Sequence, residues 1–217
     1  MIMERLICLA IGYLFGLFQT SYIYGRMHGI DIRNYGSGNA GTTNMLRTLG
    51  TGAGAVTFLG DAFKCVFAVL AVRLIFRGTH ADILPLLSLY AAAGVILGHN
   101  FPFYLKFRGG KGIAATAGLI LSLDPVMTLL ALIVFTVTLL ATHYVSLGSL
   151  LIYVGFFAEL VIFGQCGVFD MTQRYLNEMY VIGLLLTLLA FWMHRENIRR
   201  LMRGEERKTY LFKKKQK

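Results

Sequence analysis

The chain has 217 residues, 56% of them hydrophobic and only 15% charged, with a formal net charge of +10. That composition excludes disordered, collagen-like and disulfide-rich secreted classes and argues against an ordinary soluble domain. The positive balance would suggest nucleic acid in a soluble protein, but most Lys and Arg stand between or after long apolar runs, so the expected partner is the membrane phospholipid surface and no nucleic acid.

A hydrocarbon layer of roughly 30 Å needs about 20 helical residues. In chain order the apolar runs predict helices near 4–25, 53–76, 82–98, 112–122, 126–142, 145–165 and 178–194. The expected class is all-α, a polytopic membrane protein with seven transmembrane helices, the fourth of them short. Residues 1–217 read as one integral membrane domain with a basic tail over about 195–217. Stretches such as Leu129 to Val137 and Val181 to Ala190 are apolar on every face, which excludes a membrane barrel. The first run follows only Glu4 and Arg5, not a cluster of positive charges, so it reads as a retained span and not as a cleaved leader. Gly12 and Gly16 stand at small-xxx-small spacing, a pattern too common to carry functional weight.

The connections 26–52 and 99–111 carry Arg26, Arg33, Arg47 and Lys106, Arg108, Lys111, and the tail from Arg195 carries ten more basic residues; the opposite face keeps Arg5, Arg77 and Arg174. With seven spans, the positive-inside rule puts the N-terminus outside the cytoplasm and the C-terminus inside it. Cys8, Cys65 and Cys166 are too scattered for a disulfide framework, and His80 and His143 have no neighbours at ligand spacing, so no metal and no cofactor is expected. Asp61 and Lys64, three apart in the second helix, read as either a substrate contact or a structural pair.

Three polar segments at the basic end carry the chemistry. The first runs from Asp31 to Arg47, where Gly36, Gly38 and Gly41 permit turns that aim backbone N–H groups inward and Ser37, Thr42 and Thr43 add hydroxyls. The second, Gly98 to Gly112, ends in Gly109-Gly110-Lys111-Gly112 ahead of a helix, which combines unpaired backbone donors, a dipole and a lysine in one anion seat beside His99, Lys106 and Arg108. It is not a Walker A loop, because Gly112 stands where that motif needs Ser or Thr. The third, His194 to Glu205, brings His194 and Asn197 onto one helical face near Arg199, Arg200 and Arg203. Lys213, Lys214 and Lys215 beyond it read as electrostatic anchors. No Gly-x-Ser-x-Gly elbow occurs and no histidine is followed five residues later by aspartate, so the chain offers an anion site without a charge relay. That favours a substrate already activated as a phosphoanhydride or phosphate ester.

Three blocks, Ser21-Tyr22 with Gly36 to Asn44, Gly98 to Pro102 with Gly109 to Gly112, and His194 to Glu205, are similar in order and spacing to those of the bacterial membrane glycerol-3-phosphate acyltransferases of the PlsY type, which use acyl phosphate as donor. The resemblance covers essentially the whole chain; Arg26, Thr42 and Arg108 stand where lysine, alanine and lysine are frequent. It implies a seven-helix acyltransferase of the bacterial inner membrane, multi-pass, with its active site facing the cytoplasm. It also implies transfer of a fatty acyl group from acyl phosphate to the sn-1 hydroxyl of glycerol 3-phosphate, giving lysophosphatidic acid and inorganic phosphate in phospholipid synthesis. The donor's own phosphate, not a protein base, would take the proton. Carried onto this sequence, the resemblance puts Ser37, Arg47 and Lys106 or Lys111 on the phosphate of glycerol 3-phosphate, with Arg108 as a further candidate. Asn39, Thr43, Gly109, Gly110 and the helix N-terminus after Gly112 would hold acyl phosphate, with Gly36, Gly38 and Asn44 shaping the same site. His99 and His194 would orient loops or hydroxyls, and Asn197 would contact phosphate or brace the first loop. No oligomeric state follows, and a monomer is compatible with the sequence. A phosphorylated-solute carrier would want similar loops but also an internal hydropathy repeat, which is not evident. A membrane interaction protein would leave both glycine-rich loops unexplained.

Overall fold

The computed structural model describes residues 2–210; Lys213, Lys214 and Lys215 lie outside the described residues. The described residues form α1 (Ile2–Gly16), α2 (Thr20–Met27), α3 (Thr42–Leu49), α4 (Thr51–Phe76), α5 (Leu84–Asn100), α6 (Ile113–Leu123), α7 (Pro125–Thr142), α8 (Val145–Gln165), α9 (Gln173–Met193) and α10 (Arg195–Met202).

Among the described residues six segments, not seven, are long and apolar enough to cross a membrane: Ile2–Met27, Thr51–Phe76, Ala81–Leu105, Pro125–Thr142, Val145–Gln165 and Gln173–Met193. The expected fourth span fails on length. It is α6, whose 11 residues rise only about 16 Å. This helix lies against α4 and α5 with Ala114, Ala115, Thr116, Gly118, Leu119 and Ile120 buried, so protein covers it where a full crossing would meet lipid. The assignment of the N-terminus to the outer side relied on an odd number of spans and falls with it. The first segment is also not one helix, because the chain breaks between Gly16 and Thr20.

Small residues set the tightest contact in the bundle. Gly12 and Gly16 of α1 face Gly94 and Gly98 of α5, and a Cβ on any of the four would run into backbone of the other helix. Without a hydrophobic drive between helices in lipid, such close approach gives the van der Waals contact that holds them. The Gly12 and Gly16 spacing, given no functional weight on sequence, is therefore a structural contact. The main core gathers around α5, with Leu86, Leu89, Ala92, Val95 and Ile96 against Leu119, Tyr153 and Phe156. Large apolar side chains such as Leu70, Leu74, Leu132 and Leu185 point outward, as a lipid-facing surface requires.

Candidate active site

The segment before α3 is a loop built around one side chain. Asn44 Oδ1 accepts the Ser37 N–H at 2.9 Å, while its Nδ2 donates to the carbonyls of Ile32 (3.1 Å), Tyr35 (2.9 Å) and Asn39 (3.0 Å). Gly36 lies at φ 59° and Gly38 at φ 71°, left-handed conformations that suit glycine, and a Cβ on Gly36 would strike Asn44 Oδ1. Asp31 closes the other end by accepting the Arg33 N–H at 3.0 Å and pairing with its guanidinium at 2.7 Å. The Arg33 guanidinium beside it holds the Asp31 carboxyl below the usual range.

The second segment docks onto this loop. The Gly109 carbonyl accepts from Asn39 Nδ2 at 3.3 Å and from the Ala40 N–H at 3.4 Å. Gly110 fits against the Ala40 carbonyl and the His99 ring, where a Cβ has no room. Gly112, at φ 81°, turns the chain into α6. The N-termini of α3 and α6 thereby open on one cavity of about 590 Å³, with Thr42, Thr43, Ile113 and Ala114 in its wall. Backbone N–H groups of a first helical turn have no partner within the helix, so two such ends form an anion seat.

The third segment completes the wall. Lys111 Nζ donates to Asn197 Oδ1, and Asn197 Nδ2 donates to Glu206 Oε1 at 2.7 Å. Arg200 Nε meets Glu206 Oε2 at 2.6 Å and Ser146 Oγ donates to Oε1 at 3.0 Å. Burial opposes ionisation of Glu206, but hydrogen bonds from Asn197, Arg200 and Ser146 outweigh it and hold its carboxyl below the usual range. Burial, reinforced by the Arg200 cation, pushes the Lys111 ammonium down to about 8. Burial, with Lys111 close by, pushes His194 down to about 4. His194 Nδ1 lies 2.8 Å from the Ala190 carbonyl, so Nδ1 carries the proton and Nε2 keeps a lone pair. Arg47 Nη2 donates to the Arg207 carbonyl at 3.0 Å and to Thr209 Oγ1 at 2.7 Å, and the Thr209 N–H reaches the His143 carbonyl at 2.8 Å. The segment after α10 is thus a strap from the site to the end of α7.

Of the residues expected from sequence, Gly36, Ser37, Gly38, Asn39, Thr43, Asn44, Arg47, His99, Lys111, Gly112, His194 and Asn197 line this cavity. Gly109 and Gly110 stand behind its wall as packing and hydrogen-bonding partners. Lys106 and Arg108 are exposed on the turn 101–108 and are not among the lining residues. Sequence reasoning missed Glu206, Ser146 and the strap, and placed Arg200 near Asn197 without a role. It noted Thr42 only as a hydroxyl, whereas Thr42 Oγ1 is buried in the wall without a partner among the described residues. An unpaired hydroxyl at a helix N-terminus is the local signal that marks it. The apolar side of the cavity is formed by Phe58, Phe135 and Leu139.

A cavity with a phosphate-sized polar end and an apolar flank, set between spans, fits an acyl donor and a small phosphorylated acceptor. The family profile described as Glycerol-3-phosphate acyltransferase matches residues 6–204. The chain belongs to the glycerol-3-phosphate acyltransferase family. It is 43% identical over 208 residues to the glycerol-3-phosphate acyltransferase of Clostridioides difficile (strain 630), covering 95% of this chain and 96% of that one. It is 40% identical over 200 residues to the corresponding protein of Thermus thermophilus, covering 92% of each. Its fold matches crystal structures of PlsY (YgiH), an integral membrane glycerol 3-phosphate acyltransferase. The glycerol 3-phosphate form gives a TM-score of 0.81 at 28% identity and the lysophosphatidic acid form 0.78 at 26%, each covering 95% of this chain and 96% of the other. This acyltransferase is accordingly a multi-pass membrane enzyme.

Proposed function

We propose that the cavity between α3, α6 and α10 is where this enzyme transfers a fatty acyl group from acyl phosphate to the sn-1 hydroxyl of glycerol 3-phosphate, releasing lysophosphatidic acid and inorganic phosphate. The observation that carries the site assignment is the meeting of two helix N-termini with Lys111 and Arg47 around one cavity. Arg47, Ser37 and Lys111 bind the phosphate of glycerol 3-phosphate, with Asn197 holding the Lys111 ammonium in place. Asn39, Thr43 and the α6 N-terminus receive the acyl phosphate, Gly109 and Gly110 keep the two loops in register, and the acyl chain lies along Phe58, Phe135 and Leu139 toward lipid. Each methylene taken from water contributes roughly 0.8 kcal/mol.

In the transfer, the hydroxyl oxygen forms the new ester bond to the acyl carbon, the bond from that carbon to the phosphate oxygen breaks, and the hydroxyl proton leaves with the phosphate. His194 supports this route, since an imidazole held near 4 is a poor base at neutral pH. The whole chain acts as one integral membrane unit of the bacterial cytoplasmic membrane, and the basic residues around the cavity set this end toward the cytoplasm.

The test is the reaction itself, on purified protein in detergent or in a reconstituted bilayer with palmitoyl phosphate and glycerol 3-phosphate. Phosphate and lysophosphatidic acid should form in equal amounts and be lost in Ser37→Ala and Arg47→Ala. Folded protein that makes neither product with any acyl length would overturn the reading.

A further inference from the structure

Asp61 and Lys64 sit on a membrane-crossing helix, where an unmatched charge is destabilising. Lys64 is 4% exposed, Asp61 1% and His99 3%. Four acceptors surround Lys64 Nζ: the Phe18 carbonyl at 2.7 Å, Asp61 Oδ1 at 2.8 Å, His99 Nδ1 at 2.9 Å and the Gly16 carbonyl at 3.4 Å. Both carbonyls lie at the break between α1 and α2, so the interrupted span supplies acceptors that a continuous helix would use itself. Thr20 Oγ1 donates to the same Asp61 Oδ1 at 3.0 Å, and Gln19 Nε2 donates to the His99 carbonyl at 3.0 Å.

An ammonium has three N–H donors and no lone pair. The carboxylate lies 2.8 Å from Lys64 Nζ and 3.7 Å from His99 Nδ1, so the positive charge belongs on the lysine. His99 must then meet Nζ with the lone pair of Nδ1, and a neutral imidazole with Nδ1 bare carries its proton on Nε2. That nitrogen has no hydrogen bond among the described residues; it lies against Gly110 in the turn before α6, and its ring forms part of the cavity wall. His194 is held the opposite way, with its proton on Nδ1 facing Ala190.

We infer that Lys64 is a positioning residue for the transfer: it fixes His99 as the tautomer that donates from Nε2 to an oxygen of the bound acyl phosphate, while His194 presents only an acceptor. A neutral imidazole held as a donor stabilises charge developing on oxygen without a proton changing hands. The naming of that oxygen rests on the acyl-transfer reading proposed above; the tautomer does not.

The experiment is nitrogen-15 NMR of the histidine-labelled full chain in detergent micelles, with His99 assigned by the resonances lost in His99→Gln. The expected wild-type result is an unprotonated Nδ1 and a protonated Nε2 on His99. Lys64→Met should move the proton at least partly to Nδ1 and lower kcat by on the order of 10- to 100-fold, with KM for glycerol 3-phosphate changed by less than about threefold. A wild-type His99 protonated on Nδ1 overturns the inference, as does a Lys64→Met protein whose tautomer and kcat equal those of the wild type. A wild-type spectrum with Nδ1 protonated overturns the inference even if that variant fails to fold. It is read without turnover, so an inactive preparation with the expected tautomer would count against the reaction and not against the lysine.

Discussion

Lys111 is the residue whose charge responds to pH in the working range. Its ammonium is pushed to about 8 by burial and neighbouring cations, so the cation is present below that value and lost above it. KM for glycerol 3-phosphate should therefore rise as pH increases through about 8, while kcat changes less, and the inflection should vanish in Lys111→Met. His194, pushed down to about 4, stays neutral and adds no inflection between that pH and neutrality. A step in KM near the unperturbed imidazole value that is present in the wild type and absent from His194→Gln would contradict this, because the second ionisation of the substrate phosphate, at about 6, is common to both. Asn44 illustrates a different kind of importance. Its carboxamide is spent on four backbone groups of the loop, so although Asn44 borders the cavity its polar atoms serve to shape the loop. Asn44→Ala should cost roughly 2–4 kcal/mol of stability and nearly all activity, seen as a lowered melting temperature in detergent together with lost product formation.

Two elements are set by features that lie outside the polar motifs. The α1–α5 contact depends on four glycines, and Gly94→Val would drive a side chain into the backbone of α1. Destabilisation of about 1–3 kcal/mol is expected, read by thermal unfolding, whereas Gly78→Ala, with open space around it, should leave stability within about 0.5 kcal/mol. The strap after α10 is the second. Glu206 gathers Asn197, Arg200 and Ser146, and Asn197 in turn holds Lys111. Glu206→Ala leaves those donors without their acceptor and lets Asn197 rotate. A fall of roughly tenfold in kcat/KM for glycerol 3-phosphate is expected, while an unchanged value would mean that Lys111 holds its place without the strap.

At the scale of the whole molecule, Arg47 and Lys111 from the basic connections and Arg195, Arg200 and Arg207 from the tail line one cavity, which gives the orientation a direct test. In a background lacking Cys8, Cys65 and Cys166, Lys106→Cys on the exposed turn should react with a membrane-impermeant maleimide in inside-out vesicles and not in intact cells. Labelling in intact cells would reverse the proposed sidedness. Much of this architecture was legible in the chain. Hydropathy located the long spans because a bilayer demands unbroken apolar length, and Val145–Gln165 coincides with the expected 145–165. The glycine-rich loops and the block from His194, which line one cavity, were legible as segments because their small and polar residues stand close together in sequence between apolar runs. The length of α6 was not, since an 11-residue apolar run reads as a weak span until the α4 and α5 surfaces that cover it are known. Neither was the break at Gly16–Thr20, which becomes intelligible once Lys64 is seen receiving the freed carbonyls. Glu206 was hidden for a related reason, because its partners stand as far as 60 positions away along the chain. Local spacing and hydropathy determined the class of protein and the segments that bear its chemistry. Only tertiary structure decided which of those side chains line one cavity and which hold its loops, because both depend on hydrogen-bond partners brought together by packing.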